Sequence, residues 1–416
     1  MKIVYLAPFA FSPKATVSAR MLPMATALVR HGHEVTIVLP PYDNPADSGK
    51  VWQHEGVRLE NMPLNPSPSQ LPLARAAWDA GQYLWLAQQL AQRVRQLHPD
   101  ALHVFKPVGP GALALWLLTR APRPMPHTPR LIVDNDDWEG AGGWLDINPY
   151  PAPQKAVMAW QERSTLLHAQ VITVASQVLQ QRSHALLRKF ELTSYAPVIP
   201  IHILPNGPDE SLRQQVTQAE ARRSELRAQF GWGCAPVLIY AGTVPLGHDM
   251  DIAVEAVRAN AVQYPELRWV IIATGDGLPA LRQSIARAGL NPLVAWHGFM
   301  PHRELVNYLV AADIALYPYR DNNINRAKCS GKVIDYMAAA KPMVVSDVGM
   351  NRVYLIDGKS GLLTPPGDIE AFTQALGKLL QSPDTRMQIG QAAQAGLWQR
   401  FSWEQNYPTL EKVYGA

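Results

Sequence analysis

At 416 residues the chain is longer than one core usually sustains, and a composition 47% hydrophobic supplies material for two. Its 38 basic and 34 acidic residues leave a formal charge of +4, with the excess in the first half. That excess is compatible with an anionic membrane surface but does not make the basic stripe of a nucleic-acid binder. Two cysteines, Cys234 and Cys329, exclude a disulfide framework and fit a reducing compartment.

The opening KIVYLAP (2–8) reads as a first strand rather than a signal peptide, because its apolar run is short and broken by Pro8. SARMLPMATALVRHG (18–32) has helical spacing and ends on Gly32, where a C-terminal cap belongs; EVTIVLP (34–40) is the next strand. The Pro-rich NMPLNPSPSQLP (61–72) is a loop within the same domain. The helical run 73–97 follows, with Trp78, Tyr83, Leu84 and Trp85 either packing on its own sheet or resting on a membrane surface. ALHVF (101–105), RLIVDND (130–136) and QVITVAS (170–176) continue the strands, with a helical run at 154–169. GALALWLLTRA (111–121) is too short to cross a membrane, and no stretch reaches the ~18 apolar residues that crossing needs.

A second series begins after IHILPNGPD (201–209): PVLIYAG (236–242), LRWVIIATG (267–275), LVAWHG (293–298), DIALYP (313–318) and PMVVSD (342–347), separated by helical runs. Near-continuous apolar strands alternating with helices predict parallel sheets covered on both faces. The expected division is residues 1–205, residues 206–395, and a closing helix at 396–416 that packs back on the first domain.

Doubly wound sheets bind ligands beyond the carboxyl ends of their strands. The candidates are therefore Gly242, Thr243 and His248; Gly275 and Asp276; Phe299; and Tyr319. In the first half the corresponding residues are His103, Lys106 and Gly109 after one strand, and DNDDWEGAGGW (134–144) after another. That acidic run is a solvated turn or helix cap, or a DxD metal site at Asp134 and Asp136. Trp138, Trp144 and Tyr150 suit either sugar stacking or ordinary packing. INRAKCSGKVIDYMAAA (324–340) crowds Arg326, Lys328 and Lys332 around Ser330 and Gly331. It is not an ATP-binding loop, since Val333 follows the Lys and Arg326 stands where a Gly is required. Either it is a solvated basic turn, or the free N–H groups opening the helix at Lys332 hold an anion.

Six segments in order, RHGHEVTIV, LPNGPD, GDGLPALRQ, WHGFMPHRELVNYLVAADIALYP, KVIDYMAAAKPMVVSDVGMNRVYLIDGKSGLLTPPGD and FSWEQNYPTLEKVY, resemble the GT-B glycosyltransferases of family 4. The resemblance spans essentially the whole chain. It implies two Rossmann-like parallel-sheet α/β domains facing a cleft, with a nucleotide-diphosphate sugar (UDP or GDP) held by the second. It implies transfer with retention to a glycan, lipid-linked or small-molecule acceptor on the side of the first. No permanently bound cofactor, no metal and no nucleic acid are expected. A cytoplasmic protein is implied, with peripheral contact to the inner membrane face left open.

The family's donor site usually carries Glu-x7-Glu. Asp335 takes the second position, for the ribose, and Ala327 the first, so sugar recognition falls to other groups, among them the backbone of 325–329. Relatives place Arg and Lys after the Gly of the YAG strand; here GTVPLGHDMD has neither, which makes Arg326, Lys328 and above all Lys332 the replacements. The expected roles are Asp137 and Lys332 in catalysis; Gly242, Thr243, His248, Gly275, Asp276, Phe299, Arg326, Ser330, Gly331 and Asp335 on the donor; and His103, Lys106, Asp136 and Trp138 on the acceptor. A non-catalytic sugar-nucleotide-binding scaffold, or an epimerase, is the alternative.

Overall fold

The structure, a computed structural model, describes residues 1–12, 16–65, 72–120, 128–190 and 198–415, with the side chains of 72–80 and Phe190 left aside. Part of the Pro-rich stretch (66–71) and the Trp78 side chain thus lie outside the described residues. The chain divides into two compact units: Met1–Asn206 with Ala327–Cys329 and Trp403–Ala416, and Gly207–Arg326 with Ser330–Ser402.

The first unit holds β1 (Lys2–Leu6), β2 (Glu34–Leu39), β3 (Val51–His54), β4 (Val57–Asn61), β5 (Ala101–Phe105), β6 (Arg130–Asn135), β7 (Val171–Val174) and β8 (Ile201–Ile203), in the order β3-β4-β2-β1-β5-β6-β7-β8. Every pairing is parallel except β3 with β4. Sequence pattern misses that hairpin because VWQHEGVRLEN lacks a continuous apolar run, Glu60 and Asn61 being polar yet buried. Its turn is set by Glu55 and Gly56, both at positive φ (46° and 82°), the two-residue geometry that matches strand twist. The central strands are buried along their length, which is why they read as apolar runs rather than alternating ones.

The helix expected at 18–32 opens with a π turn, Val17–Met21, before Leu22–Arg30. The turn aims Arg20 inward. Its guanidinium is buried on Asp134 (Nε to Oδ1 2.8 Å, Nη2 to Oδ2 2.6 Å) and also donates to the Leu204 carbonyl and the Asn206 side chain.

The second unit holds β9 (Val237–Thr243), β10 (Arg268–Thr274), β11 (Val294–His297), β12 (Ile314–Tyr317), β13 (Met343–Ser346) and β14 (Leu362–Thr364), all parallel in the order β11-β10-β9-β12-β13-β14. The return to the first unit falls at Trp403 rather than 396. The Pro383–Arg400 helix is kept in the second unit by Ile389, Ala393 and Leu397 and by Gly390, where a Cβ would fall 2.0 Å from the Ala340 carbonyl oxygen. Beyond it, Trp403, Leu410, Val413 and Tyr414 join the core of Ile3, Tyr5 and Leu28.

Candidate functional site

In the second sheet the strand order turns back between β9 and β12, so the carboxyl ends of these strands frame the switch point where such folds bind ligands. The Gly331–Ala338 helix starts there. Ser330 is its N-cap, the Oγ accepting from the Lys332 N–H at 3.3 Å. Lys332 therefore lies in the first turn, and its side chain crosses Gly242 at the end of β9: a Cβ on Gly242 would fall 1.7 Å from Lys332 Cε. Gly242 also has φ +139°, a conformation that side chains disfavour. The ammonium stands 5.7 Å from the Tyr240 ring centroid and 5.8 Å from that of Tyr317. Tyr319 packs edge-on against Tyr317, and the Tyr336 hydroxyl accepts from the Ala241 N–H at 2.9 Å. Burial pushes all four phenols well up, so the floor beneath the ammonium is neutral. Of these four only Tyr319 was a candidate from the sequence; the signal for Tyr240 and Tyr317 was Tyr at successive strand ends, in LIYAG and LYPYR.

Asp335 faces out one turn later and pairs with His302, Oδ1 to Nε2 3.0 Å. The carboxylate raises the imidazole's pKa against the opposing effect of desolvation. His302 was also missed, since it opens the helix of another motif, His302–Ala311. Phe299, just past β11, is 63% exposed, unusual for so large an apolar side chain. Gly275 and Gly277 leave room for the loop after β9, a Cβ on either falling within 2.4 Å of the Val244 or Pro245 carbonyl. Thr243 and Asp276 are exposed. His248 has a structural duty: its Nδ1 accepts from the Met250 N–H, and burial lowers its pKa while Asp251 and Asp249 oppose that. Arg320, from another loop, binds Asp249 and Asp251.

The other two cations of the basic stretch are directed elsewhere. Arg326 is an exposed partner of Asp321 (2.5 and 2.8 Å), and Lys328 lies over the Trp144 ring at 5.7 Å within the first unit. The cause is the course of the chain, which joins the first unit at Ala327–Cys329. Ala327 is fully buried there, its carbonyl accepting from Ser176 Oγ. The polar groups expected to replace the missing Glu are also engaged. In the backbone the Asn325 N–H donates to the Asn322 side chain, the Arg326 N–H donates to the Asn322 carbonyl, and the Cys329 carbonyl accepts from Asn206.

In the first sheet the order turns back between β1 and β5. Lys106, after β5, holds φ +62° and is 3% exposed, with its ammonium at 3.1 Å from Asp136, 2.7 Å from Asp137 and 2.6 Å from Glu139. Burial alone would lower the Lys106 pKa; the three carboxylates outweigh it and hold the pKa well up. Burial also raises Glu139, against the pull of Lys106.

One expectation is corrected here, and one alternative reading of the acidic run falls. His103 does not line an acceptor site: it is fully buried, with Nδ1 2.7 Å from the Tyr414 hydroxyl and Nε2 3.2 Å from Thr173, and burial holds it neutral. Asp134 is not half of a DxD site, because its two oxygens serve Arg20 and Thr173. Trp138 donates to the Ala141 carbonyl and lies under Arg182, itself paired with Glu162. Gly109 exchanges hydrogen bonds with the Gln161 side chain.

Two Rossmann-like parallel sheets with their polar groups gathered at the switch points define the GT-B class. The fold is shared over 100% of this chain with sucrose-phosphate synthase from Thermosynechococcus elongatus (98% of that chain, TM-score 0.71, 18% identity). It is also shared with Anabaena HepE in complex with UDP and glucose (100% of both chains, TM-score 0.66, 18% identity).

The chain itself belongs to the glycosyltransferases: residues 16–207 match the glycosyl transferase 4-like domain and residues 235–382 the glycosyl transferases group 1 family. Among curated proteins it is similar to alpha-D-kanosaminyltransferase of Streptomyces kanamyceticus, 24% identical over 370 residues, covering 87% of this chain and 89% of that protein. The match spans about half the length of several other curated glycosyltransferases. These relationships place it among transferase enzymes.

Proposed function

We propose that the protein moves a hexosyl group from a nucleoside-diphosphate sugar, UDP- or GDP-linked, to a hydroxyl of a glycan, glycolipid or small molecule, with retention. The observation that carries the reading is Lys332, in the first turn of a capped helix and stretched across Gly242 at the switch point. Helix N-terminus and ammonium together favour a diphosphate, and more strongly as the departing group gains charge. Asp335 accepts from the ribose hydroxyls, and exposed Phe299 offers a face to the base.

On the first unit, Asp137 orients the acceptor hydroxyl, held in place by Lys106. The sugar–phosphate C–O bond breaks as the acceptor oxygen bonds the anomeric carbon, and the acceptor proton passes to a diphosphate oxygen. No divalent ion is assigned. What supports this is that Asp134 and Asp136, the DxD pair, have Arg20 and Lys106 as counter-ions. Purified protein incubated with a panel of nucleotide sugars should hydrolyse or transfer from one of them, and EDTA should leave the rate unchanged. Loss of turnover restored by manganese alone would return the diphosphate to a carboxylate–metal site.

A further inference from the structure

β9 outruns one of its two partners. Its register with β10 holds from Val237 to Thr243, whereas its pairing with β12 stops where Ala315 meets Ile239. Beyond Ile239 that side of β9 has no ladder partner, and an unpaired N–H at buried Ala241 would be costly. Tyrosines take over from the strand. The Tyr336 hydroxyl accepts from the Ala241 N–H at 2.9 Å, and the Tyr240 hydroxyl donates to the Thr243 carbonyl at 3.0 Å. The two bonds flank Gly242, the residue at φ +139° over which the Lys332 stem passes.

The ammonium that crosses this split lies 5.7 Å from the Tyr240 ring centroid and 5.8 Å from that of Tyr317. Both distances fall within the ~6 Å over which a ring attracts a cation. The two rings are buried, 4% and 1% exposed, so they cannot swing away to water. A carboxylate in their place would bind the ammonium more tightly, but it would also cancel the charge that an incoming anion needs. A ring attracts the cation without neutralising it. A lysine stem is otherwise a flexible tether whose freedom is lost on binding; confined between Gly242 and the rings, it has surrendered that freedom on folding.

We propose that Tyr240 and Tyr317 are positioning residues for Lys332: their rings seat its ammonium across Gly242 before any diphosphate arrives, while Tyr336 pins the end of β9 beside it. The inference rests on the reading of Lys332 as the diphosphate ligand.

Calorimetric titration with free UDP and GDP tests it, since each carries the charge that the leaving group attains. For whichever binds the parent, Tyr240→Met, which fills the space without a ring, should weaken affinity about three- to tenfold, and Tyr317→Met should do the same. Tyr240→Phe restores the ring without the hydroxyl and should return to within about twofold of the parent. In a Lys332→Ala background Tyr240→Met should cost nothing further, because the ring acts through the ammonium alone. A residue that merely supported the fold would weaken binding by the same factor in both backgrounds. Melting curves identify a variant that fails to fold, and the two tyrosines give the seat two independent removals. The proposal is overturned if both Met variants bind as tightly as the parent, if Tyr240→Phe is as weak as Tyr240→Met, or if the losses add in the double variant. Should Lys332→Ala itself bind as the parent does, or neither nucleotide bind at all, the reading of Lys332 fails and the inference goes with it.

Discussion

The two sheets present opposite charge at equivalent places. At the β1/β5 switch of the first, three carboxylates close around one buried lysine; at the β9/β12 switch of the second, a lysine and a helix N-terminus stand over neutral tyrosines. One topology has been given an acidic rim and a basic rim, and side-chain chemistry rather than fold assigns each its partner. The acidic rim is gathered on one buried lysine, an arrangement suited to positioning a neutral hydroxyl. The basic rim has the sign that a diphosphate requires.

Breaking the acidic rim should have the largest effect. Lys106→Met leaves Asp136, Asp137 and Glu139 without their cation, and removing one member of a buried ion cluster typically costs about 3–5 kcal/mol. Chemical denaturation should show that loss, and Lys106→Met/Glu139→Gln should recover part of it. An unchanged midpoint would mean that the cluster is not the scaffold of that rim.

Next comes the basic rim. Lys332→Ala forfeits a charge-assisted contact worth about 1.5–3 kcal/mol, or roughly 10- to 100-fold in turnover, expressed more in kcat than in KM for the donor. Gly242→Ala should act the same way by displacing the Lys332 side chain. Lys328→Ala, whose ammonium lies over Trp144, should remain near the parent. If Lys328 proves critical and Lys332 dispensable in steady-state kinetics, the anion site lies one turn earlier.

Asp335→Ala should weaken calorimetric binding of the nucleoside diphosphate by about 1.5 kcal/mol, the low end for a charged acceptor. Binding equal to the parent's would remove Asp335 from the ribose.

The smallest effect concerns His302. Its folded pKa is raised by Asp335, so its contribution to stability is complete below the unfolded value near ~6.5 and is lost as pH rises through the folded value. The melting difference between parent and His302→Gln should therefore be present in mild acid and vanish in alkali; a gap independent of pH would show the pair to be uncharged.

Local signals in the sequence determined a great deal. Apolar runs alternating with helical ones fixed most strands and the two-sheet plan, because a strand buried on both faces has no polar side to hide. The helix opening at Ser330–Gly331 was equally legible, since capping acts over two or three residues. The β3–β4 hairpin and β14, short and partly exposed, carried no such period.

Tertiary structure alone decided which charges would be buried and beside what. Arg20 and Asp134 are 114 residues apart in sequence, His103 and Tyr414 311 apart, and His302 and Asp335 33 apart. A Lys or His reads the same in sequence whether it will face water, a carboxylate or a ring. Its desolvation and its partners come from segments brought together by the sheets, as Gln161 and Glu162 on the Ala152–His168 helix meet Gly109 and Arg182.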